Sequence, residues 1–417
     1  LITPCKSVIC NPTVICNPPR NLFLSLNIIM PSRDYIGGNT VHFIHGGEEY
    51  FNSLLDVIDG ARKFLHLQVY ILDRDDTGLV VIDALKDAAK RGVNVYLVVD
   101  GFGSMSLGRE FEEEMKEAGV LFRFFSPLPF PGIFQAGRRL HHKVCVADGK
   151  ISLVGGINIS NKYRGDENEL PWLDYALLVE GPLSVQITAV CERIFRKRFT
   201  QGGLKKLKRI HVGAASQESV LMRMSVNDWI RRKNEISVAY KHMLSGAHKE
   251  VIIVASYFIP TRRLLKILIR SAKRGRKIYI ILSRTSDVPF MKAAISYLYD
   301  QLLSAGVQVF EYRASVLHAK VCVVDNRWVS VGSHNLNHLS ELISIEMNLE
   351  VLQHDFASKV SSELKQLMKE QCQEIRLEEF DRTTSTLKRG WNWFSYKLIS
   401  LSMRLLYFLN QKGLKDR

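Results

Sequence analysis

A chain of 417 residues with 46% hydrophobic content is long enough for two cores of about 150 to 200 residues each. Its formal charge of +15 directs it to an anionic partner: nucleic acid, an acidic membrane face or a phosphate-bearing substrate. Seven scattered cysteines without a Cys-x-x-Cys pair exclude a disulfide framework or structural zinc and suit a reducing, cytosolic setting, and the lack of about 18 consecutive apolar residues excludes a plain membrane-spanning helix.

Residues 1–29 hold Cys5, Cys10 and Cys16 among Pro and Asn without periodicity, so Met30 is the expected start and residues 1–44 an extension outside the core. Beyond it the chain runs twice through one series of elements. Ala61-Arg62-Lys63 leads into an apolar strand, as does Ala247-His248-Lys249. Ala89-Lys90-Arg91-Gly92 ends an amphipathic helix before another strand, and Ala272-Lys273-Arg274-Gly275 repeats it. Ala118-Gly119-Val120 is answered by Ala305-Gly306-Val307 at an offset of 187, which falls to 177 at His141 and His318. About ten extra residues therefore precede the first motif, where Pro127, Pro129, Pro131 and Gly132 mark a loop.

Strands alternating with helices predict an α/β fold of two duplicated domains, residues 45–200 and 217–372, each a mixed sheet flanked by helices and related by a pseudo-two-fold. Residues 201–216 form a basic linker. Residues 373–417 end the chain with Phe394, Leu398, Leu401, Leu405 and Phe408 on one helical face, flanked by Lys397 and Arg404. That pattern suits either a helix lying in a membrane interface or one docked on the core.

Each copy then delivers one polar constellation: His141, Lys143, Asp148, Gly155-Gly156 and Asn158, then His318, Lys320, Asp325, Gly332-Ser333 and Asn335. A lone strand histidine is usually a core residue, but two matched copies at matched spacing make a reaction centre. Strand alternation puts His141 with Lys143, and His318 with Lys320, on one face. Asp148-Gly149 and Asp325-Asn326 are read as hairpin turns. The small-residue pairs let backbone approach a ligand, while Asn158 and Asn335 donate amide hydrogen bonds to it.

Two imidazoles, two ammonium groups and two amides, with no carboxylate cluster for a metal, suit a phosphodiester activated without cofactors. One histidine attacks phosphorus; the other protonates the leaving oxygen. Asp174 and Glu346 follow their histidines by 33 and 28 residues and are candidates to orient them. Cys145 and Cys322 are expected in the core. His142 and His334 break the repeat and are assigned to local packing or specificity.

These residues resemble the signature of the phospholipase D superfamily, His-x-Lys-x4-Asp-x6-Gly-Gly/Ser-x-Asn, matched twice without a gap between about Gly46 and Gln371. Asp100-Gly101-Phe102-Gly103-Ser104, Val179-Glu180-Gly181-Pro182 and Phe310-Glu311-Tyr312-Arg313 most resemble bacterial cardiolipin synthases of the short subgroup without N-terminal transmembrane helices. The resemblance implies a phosphatidyl-histidine intermediate, with His141 as nucleophile, His318 as general acid, and Lys143, Lys320, Asn158, Asn335 and Ser333 around the phosphate. It places Asp174 and Glu346 as histidine-orienting carboxylates and carries Asp148 and Asp325 into the catalytic motif, against the turn role read from their spacing.

The activity it implies is phosphatidyl transfer between two phosphatidylglycerol molecules, giving cardiolipin and glycerol. The expected setting is the cytoplasmic face of a cell membrane, bound peripherally, active in principle as a monomer, with no metal, cofactor or nucleic acid. The alternatives are a hydrolytic phospholipase D and, further off, a nuclease using the same phosphodiester chemistry.

Overall fold

The computed structural model describes residues 34–108, 110–127, 138–167, 169–196, 219–228, 231, 233–337, 340 and 344–415, the side chains of 406–415 excepted. The N-terminal 29 residues, the linker 201–216 and most of the loop holding Pro129, Pro131 and Gly132 lie outside them.

In the first half, β2 (Phe64–Val69), β3 (Asn94–Asp100) and β4 (Leu121–Phe125) are parallel. On the other edge of β2 an antiparallel series follows: β5 (Lys143–Ala147), β6 (Ile151–Gly155), β7 (Tyr175–Glu180) and β1 (Ile36–His45). The second half repeats this path. Strands β9 (Glu250–Ala255), β10 (Lys277–Ser283) and β11 (Gln308–Tyr312) are parallel. Then come β12 (Lys320–Val324), β13 (Trp328–Gly332), β14 (Ser344–Leu352) and β8 (Val220–Asp228), all antiparallel. The α/β duplication expected from sequence is the observed architecture.

Local chemistry explains why the copies fold alike. The helix Asp76–Lys90 starts where the Asp75 carboxylate accepts the Gly78 N–H at 2.9 Å, and Arg262–Lys273 starts where the Thr261 hydroxyl accepts from Leu264 at 3.3 Å. Both stop at a glycine in the left-handed region, Gly92 at φ 87° and Gly275 at φ 82°, the matched ends of the repeated Ala-Lys-Arg-Gly.

The hairpins carrying the motif turn through two consecutive left-handed residues, Asp148 and Gly149 at 53° and 65°, Asp325 and Asn326 at 53° and 52°. The Lys150 N–H closes the first turn on the Ala147 carbonyl and the Arg327 N–H the second on that of Val324, both at 3.0 Å. Cys145 and Cys322 are buried on these strands.

Helices pack on the outer side of each sheet around separate cores, Leu54, Ile82 and Leu97 marking one and Met243, Leu268 and Ile280 the other. A further core joins the halves: Val144, Val154 and Leu177 meet Val321, Val331 and Leu349 in one apolar layer. Burial of that size holds the two halves as one body.

The C-terminal helix, Thr386–Lys415, docks by one face, with Asn392, Ser395 and Met403 buried and Tyr396 and Ile399 against the second-half core. Its other face leaves Trp391, Phe394, Leu398, Leu401 and Leu405 exposed. The docked reading holds for the first of these faces, while the second turns its apolar stripe outward. The side chain of Phe408, expected on the same stripe, is outside the description.

Candidate active site

The halves meet at the residue before each histidine. Leu140 is the parallel register partner of Ile345, and Leu317 forms a parallel bridge to Leu173. In both places the neighbour of one half's histidine lies beside the neighbour of the other half's carboxylate. The His141 N–H donates to the Ile345 carbonyl at 3.0 Å, and the His318 N–H to that of Leu173 at 2.8 Å.

The side chains follow this exchange. His141 Nδ1 lies 2.9 Å from Glu346 Oε2, and His318 Nδ1 lies 2.7 Å from Asp174 Oδ2. Chain order pairs each carboxylate with the histidine of its own copy; the structure corrects this, because the bridge that positions each carboxylate crosses between copies. With Nδ1 held by a carboxylate, Nε2 of each ring is the nitrogen left for chemistry.

Lys143 and Lys320 are enclosed with their histidines. Lys143 Nζ donates to the His141 carbonyl at 2.5 Å and sits 5.4 Å from the Tyr70 ring centroid. Lys320 Nζ donates to the His318 carbonyl and, at 3.4 Å, to Asp174 Oδ2. It also lies 2.7 Å from His318 Nδ1, an atom that cannot accept from the ammonium while donating to Asp174. The anionic carboxylate is the stronger acceptor, so the ring proton faces Asp174.

Burial sets the electrostatics. It lowers the proton affinity of His318 to about 3, with the Lys320 charge adding to the effect. It also lowers that of His141 against the pull of Glu346. Lys143 is lowered to about 7 by burial and then by the charge of Lys320. For Glu346 burial acts upwards, but the neighbouring His141 and cations prevail and keep its carboxyl well below the usual range.

Both histidines, Asn158 and Asn335 line one cavity of about 430 Å³. The Asn158 amide accepts the Ile71 N–H at 3.2 Å and donates to the Tyr163 hydroxyl at 2.8 Å, while Asn335 Oδ1 accepts from Ser256 at 2.8 Å.

Ser333 differs from expectation: its hydroxyl is given to Glu346, so it supports that carboxylate rather than standing free for a phosphate. Gly156 is bare for the matching reason, since a Cβ there would come within 2.4 Å of the Asp174 carboxylate oxygens. The close approach expected between this backbone and a ligand is to Asp174 instead.

Asp148 and Asp325 are not brought to the cavity. Asp148 accepts three backbone N–H groups, from Arg62, Lys63 and Phe64, at 2.8 to 2.9 Å, and Asp325 accepts those of His248, Lys249 and Glu250 at 2.7 to 2.8 Å. Their position agrees with the turn role and not with motif membership as a sign of catalysis. His142 is buried against Gln68 at 2.9 Å, and His334 donates its N–H to Asn348 at 3.2 Å.

Sequence reasoning missed several walls of the site. Tyr70 lies 5.0 Å from His141 and Tyr257 6.0 Å from His318, ring centroid to centroid. Their matched places in the repeated strands were the available signal. Tyr163 and Trp172 flank His318 at 5.3 and 6.0 Å. Arg139, Asp73 and Asp287 also line the cavity, and no spacing singled them out. Among the described residues no group of three His, Cys, Asp or Glu side chains is placed to hold a metal ion.

This fold, with paired His-Lys-Asn sets at the junction of two copies, is that of a two-domain phospholipase-D-like protein. Residues 54–197 and 240–368 match the model of the family described as cardiolipin synthase, PLD-like domain. The chain belongs to that family. It is 32% identical over 362 residues to cardiolipin synthase B of Escherichia coli (strain K12), covering 85% of each chain. To cardiolipin synthase 1 of Bacillus cereus it is 27% identical over 385 residues, covering 88% of this chain and 70% of that one. Phosphatidylserine synthase from Haemophilus influenzae Rd KW20 has the same fold, with a TM-score of 0.72 at 16% identity, covering 94% of this chain and all 100% of that one.

Proposed function

We propose that this protein is a phosphatidyltransferase that joins two phosphatidylglycerol molecules into cardiolipin and releases glycerol. The observation that carries the reading is the pair of crosswise histidine–carboxylate contacts opening on one cavity.

In the first half-reaction His141 Nε2 attacks phosphorus and forms a P–N bond. The P–O bond to the headgroup glycerol breaks, and the His318 Nε2 proton goes to that oxygen. In the second, a hydroxyl of another phosphatidylglycerol loses its proton to His318 as its oxygen attacks phosphorus, and the P–N bond breaks. His318 is neutral in the empty site; a phosphate anion beside it favours the charged ring and so supplies the acid when substrate is bound. Lys143 and Lys320 offset charge on the non-bridging oxygens, and the second amide hydrogen of Asn158 and the amide of Asn335 donate to them. In this reading the lysines take the part a metal plays elsewhere.

One feature supports a peripheral attachment. The exposed stripe of the C-terminal helix is flanked by Lys397 and Arg404, cations that reach lipid phosphates while the apolar side chains enter the interface.

Labelled phosphatidylglycerol incubated with the protein in EDTA is expected to yield cardiolipin and free glycerol. Phosphatidic acid as the main product would make water the acceptor and the protein a hydrolase. Loss of activity with chelator would overturn the metal-free mechanism.

A further inference from the structure

A second cavity, of about 850 Å³, lies between the second half and the start of the C-terminal helix, and Val288 lines both it and the catalytic cavity. We propose that it binds one anionic phospholipid, its phosphate between Arg284 and Lys388 and its acyl chains along the exposed stripe of the helix, as a holding site for substrate. This rests on the reading of the catalytic site as one that acts on phospholipids.

Charge is the first argument. Arg284, Lys292 and Lys388 line the cavity with Glu311 and Glu379. Lys292 is already committed, donating to Glu311 and to the Tyr299 hydroxyl at 3.2 Å. Among the described residues no carboxylate forms an ion pair with Arg284 or Lys388. Both charges also act on the Lys292 ammonium, so the three cations face one space. An entering phosphate meets Arg284 and Lys388 opposed by Glu379, the charge of Glu311 being offset by Lys292.

The rim is the second argument. Phe290 has a left-handed backbone, φ 63°, rare for a bulky residue, and it is 44% exposed. It lies 5.7 Å from the ring of Trp391, which stacks on Phe394 at 5.8 Å. These rings and Leu398 form one apolar surface beside the cations, the amphipathic arrangement of a lipid.

Continuity is the third. The segment 286–290 walls both spaces: Asp287, held by the Tyr257 hydroxyl at 2.8 Å, faces the catalytic cavity, and Phe290 faces the second. The C-terminal helix does the same, with Met403 in the first and Lys388 and Trp391 in the second. The catalytic cavity is of headgroup size, and diacyl chains need an apolar exit beside it.

The test uses the full chain and phosphatidylglycerol in mixed micelles at varied mole fraction. Arg284→Glu/Lys388→Glu is expected to raise KM about tenfold or more with kcat little changed, the loss of charge-assisted contacts to a phosphate. An unchanged KM in a variant with the wild-type melting temperature overturns the site, and so does a loss of kcat at constant KM. Inorganic phosphate competing with lipid in the wild type but not in the variant would identify a bare phosphate site and overturn the lipid assignment.

Binding is read apart from turnover in His141→Ala protein. Phosphatidylglycerol with brominated chains should quench a tryptophan signal that Trp391→Phe removes. Quenching indifferent to that change and to the charge reversal overturns the proposal. A wild type that releases no glycerol but retains this quenching would instead sink the transferase reading alone.

Discussion

The two halves of the site share their reacting groups and differ in what surrounds them. His318 is walled by Tyr163, Trp172 and Tyr257 and has a side chain only 5% exposed, whereas among the described residues His141 has Tyr70 alone of the aromatics and is 15% exposed. Five residues after each motif Asn, and two before each orienting carboxylate, Tyr163 and Trp172 give way to Ser340 and Ser344. The carboxylates are matched to their supports as well: Asp174 packs on bare Gly156, and Glu346 takes the Ser333 hydroxyl. The duplication thus conserves a pair of imidazoles while the enclosure around them diverges, which suits two rings with different tasks.

The largest expected effect tests what is shared. His141→Ala and His318→Ala should each lower turnover by about 10⁴-fold or more, since neither half-reaction proceeds without both rings. Appreciable activity in either variant, by glycerol release, would break the two-histidine mechanism. The crossing of partners has its own readout. In side-chain NMR, Asp174→Asn should perturb the His318 ring and Glu346→Gln that of His141; the reverse assignment would restore pairing within each copy.

The supports come next. Gly156→Ser puts a side chain where Asp174 lies and should cost about 10² or more in kcat, through loss of the His318 orientation. Ser333→Gly removes one hydrogen bond to a carboxylate that His141 still holds, and should cost about tenfold or less. Equal losses in the two kinetic assays would show that the halves are supported alike.

Smaller again is the effect of the turn carboxylates. Asp148→Asn and Asp325→Asn each weaken three charge-assisted bonds to backbone and should lower stability by about 1–3 kcal/mol in denaturant unfolding, with kcat of the folded protein kept. A fully stable but inert variant would return these residues to the chemistry.

Sequence was most legible where local rules and duplication coincide. The glycine-ended helices, the Asp-Gly and Asp-Asn turns, the buried Cys145 and Cys322 and the two histidine motifs each depend on a few adjacent residues, and the second copy checked the first. The exchange of Asp174 and Glu346 was illegible, because it depends on Leu140 meeting Ile345 and Leu317 meeting Leu173 across the junction. No spacing within one copy encodes that. The role of Ser333 was hidden for a related reason: a Gly/Ser position in a phosphate motif gives no hint that its hydroxyl turns back to a carboxylate. Trp172 was in view beside Asp174, but its counterpart is Ser344, so the repeat gave it no weight.

The smallest effect concerns His142, a histidine of the first motif that faces Ala319 in the second copy. Its ring is buried, donates from Nε2 to Gln68 at 2.9 Å and leaves Nδ1 without a partner, the pattern of a neutral tautomer. Burial, aided by the Lys143 charge, lowers its proton affinity from the ordinary 6.5 to about 3. The unfolded chain therefore takes up a proton below about pH 6.5 that the folded ring refuses until about pH 3. Its contribution to stability is complete above pH 6.5 and is lost progressively as pH falls through that window. His142→Gln keeps a donor for Gln68 but has nothing to titrate, so its melting temperature should fall less than the wild type's between pH 7 and pH 5. His318, His141 and His66 are shifted in the same direction and will leave a residual slope. Parallel slopes in the two proteins would mean that the acid sensitivity belongs to these other buried histidines and not to His142.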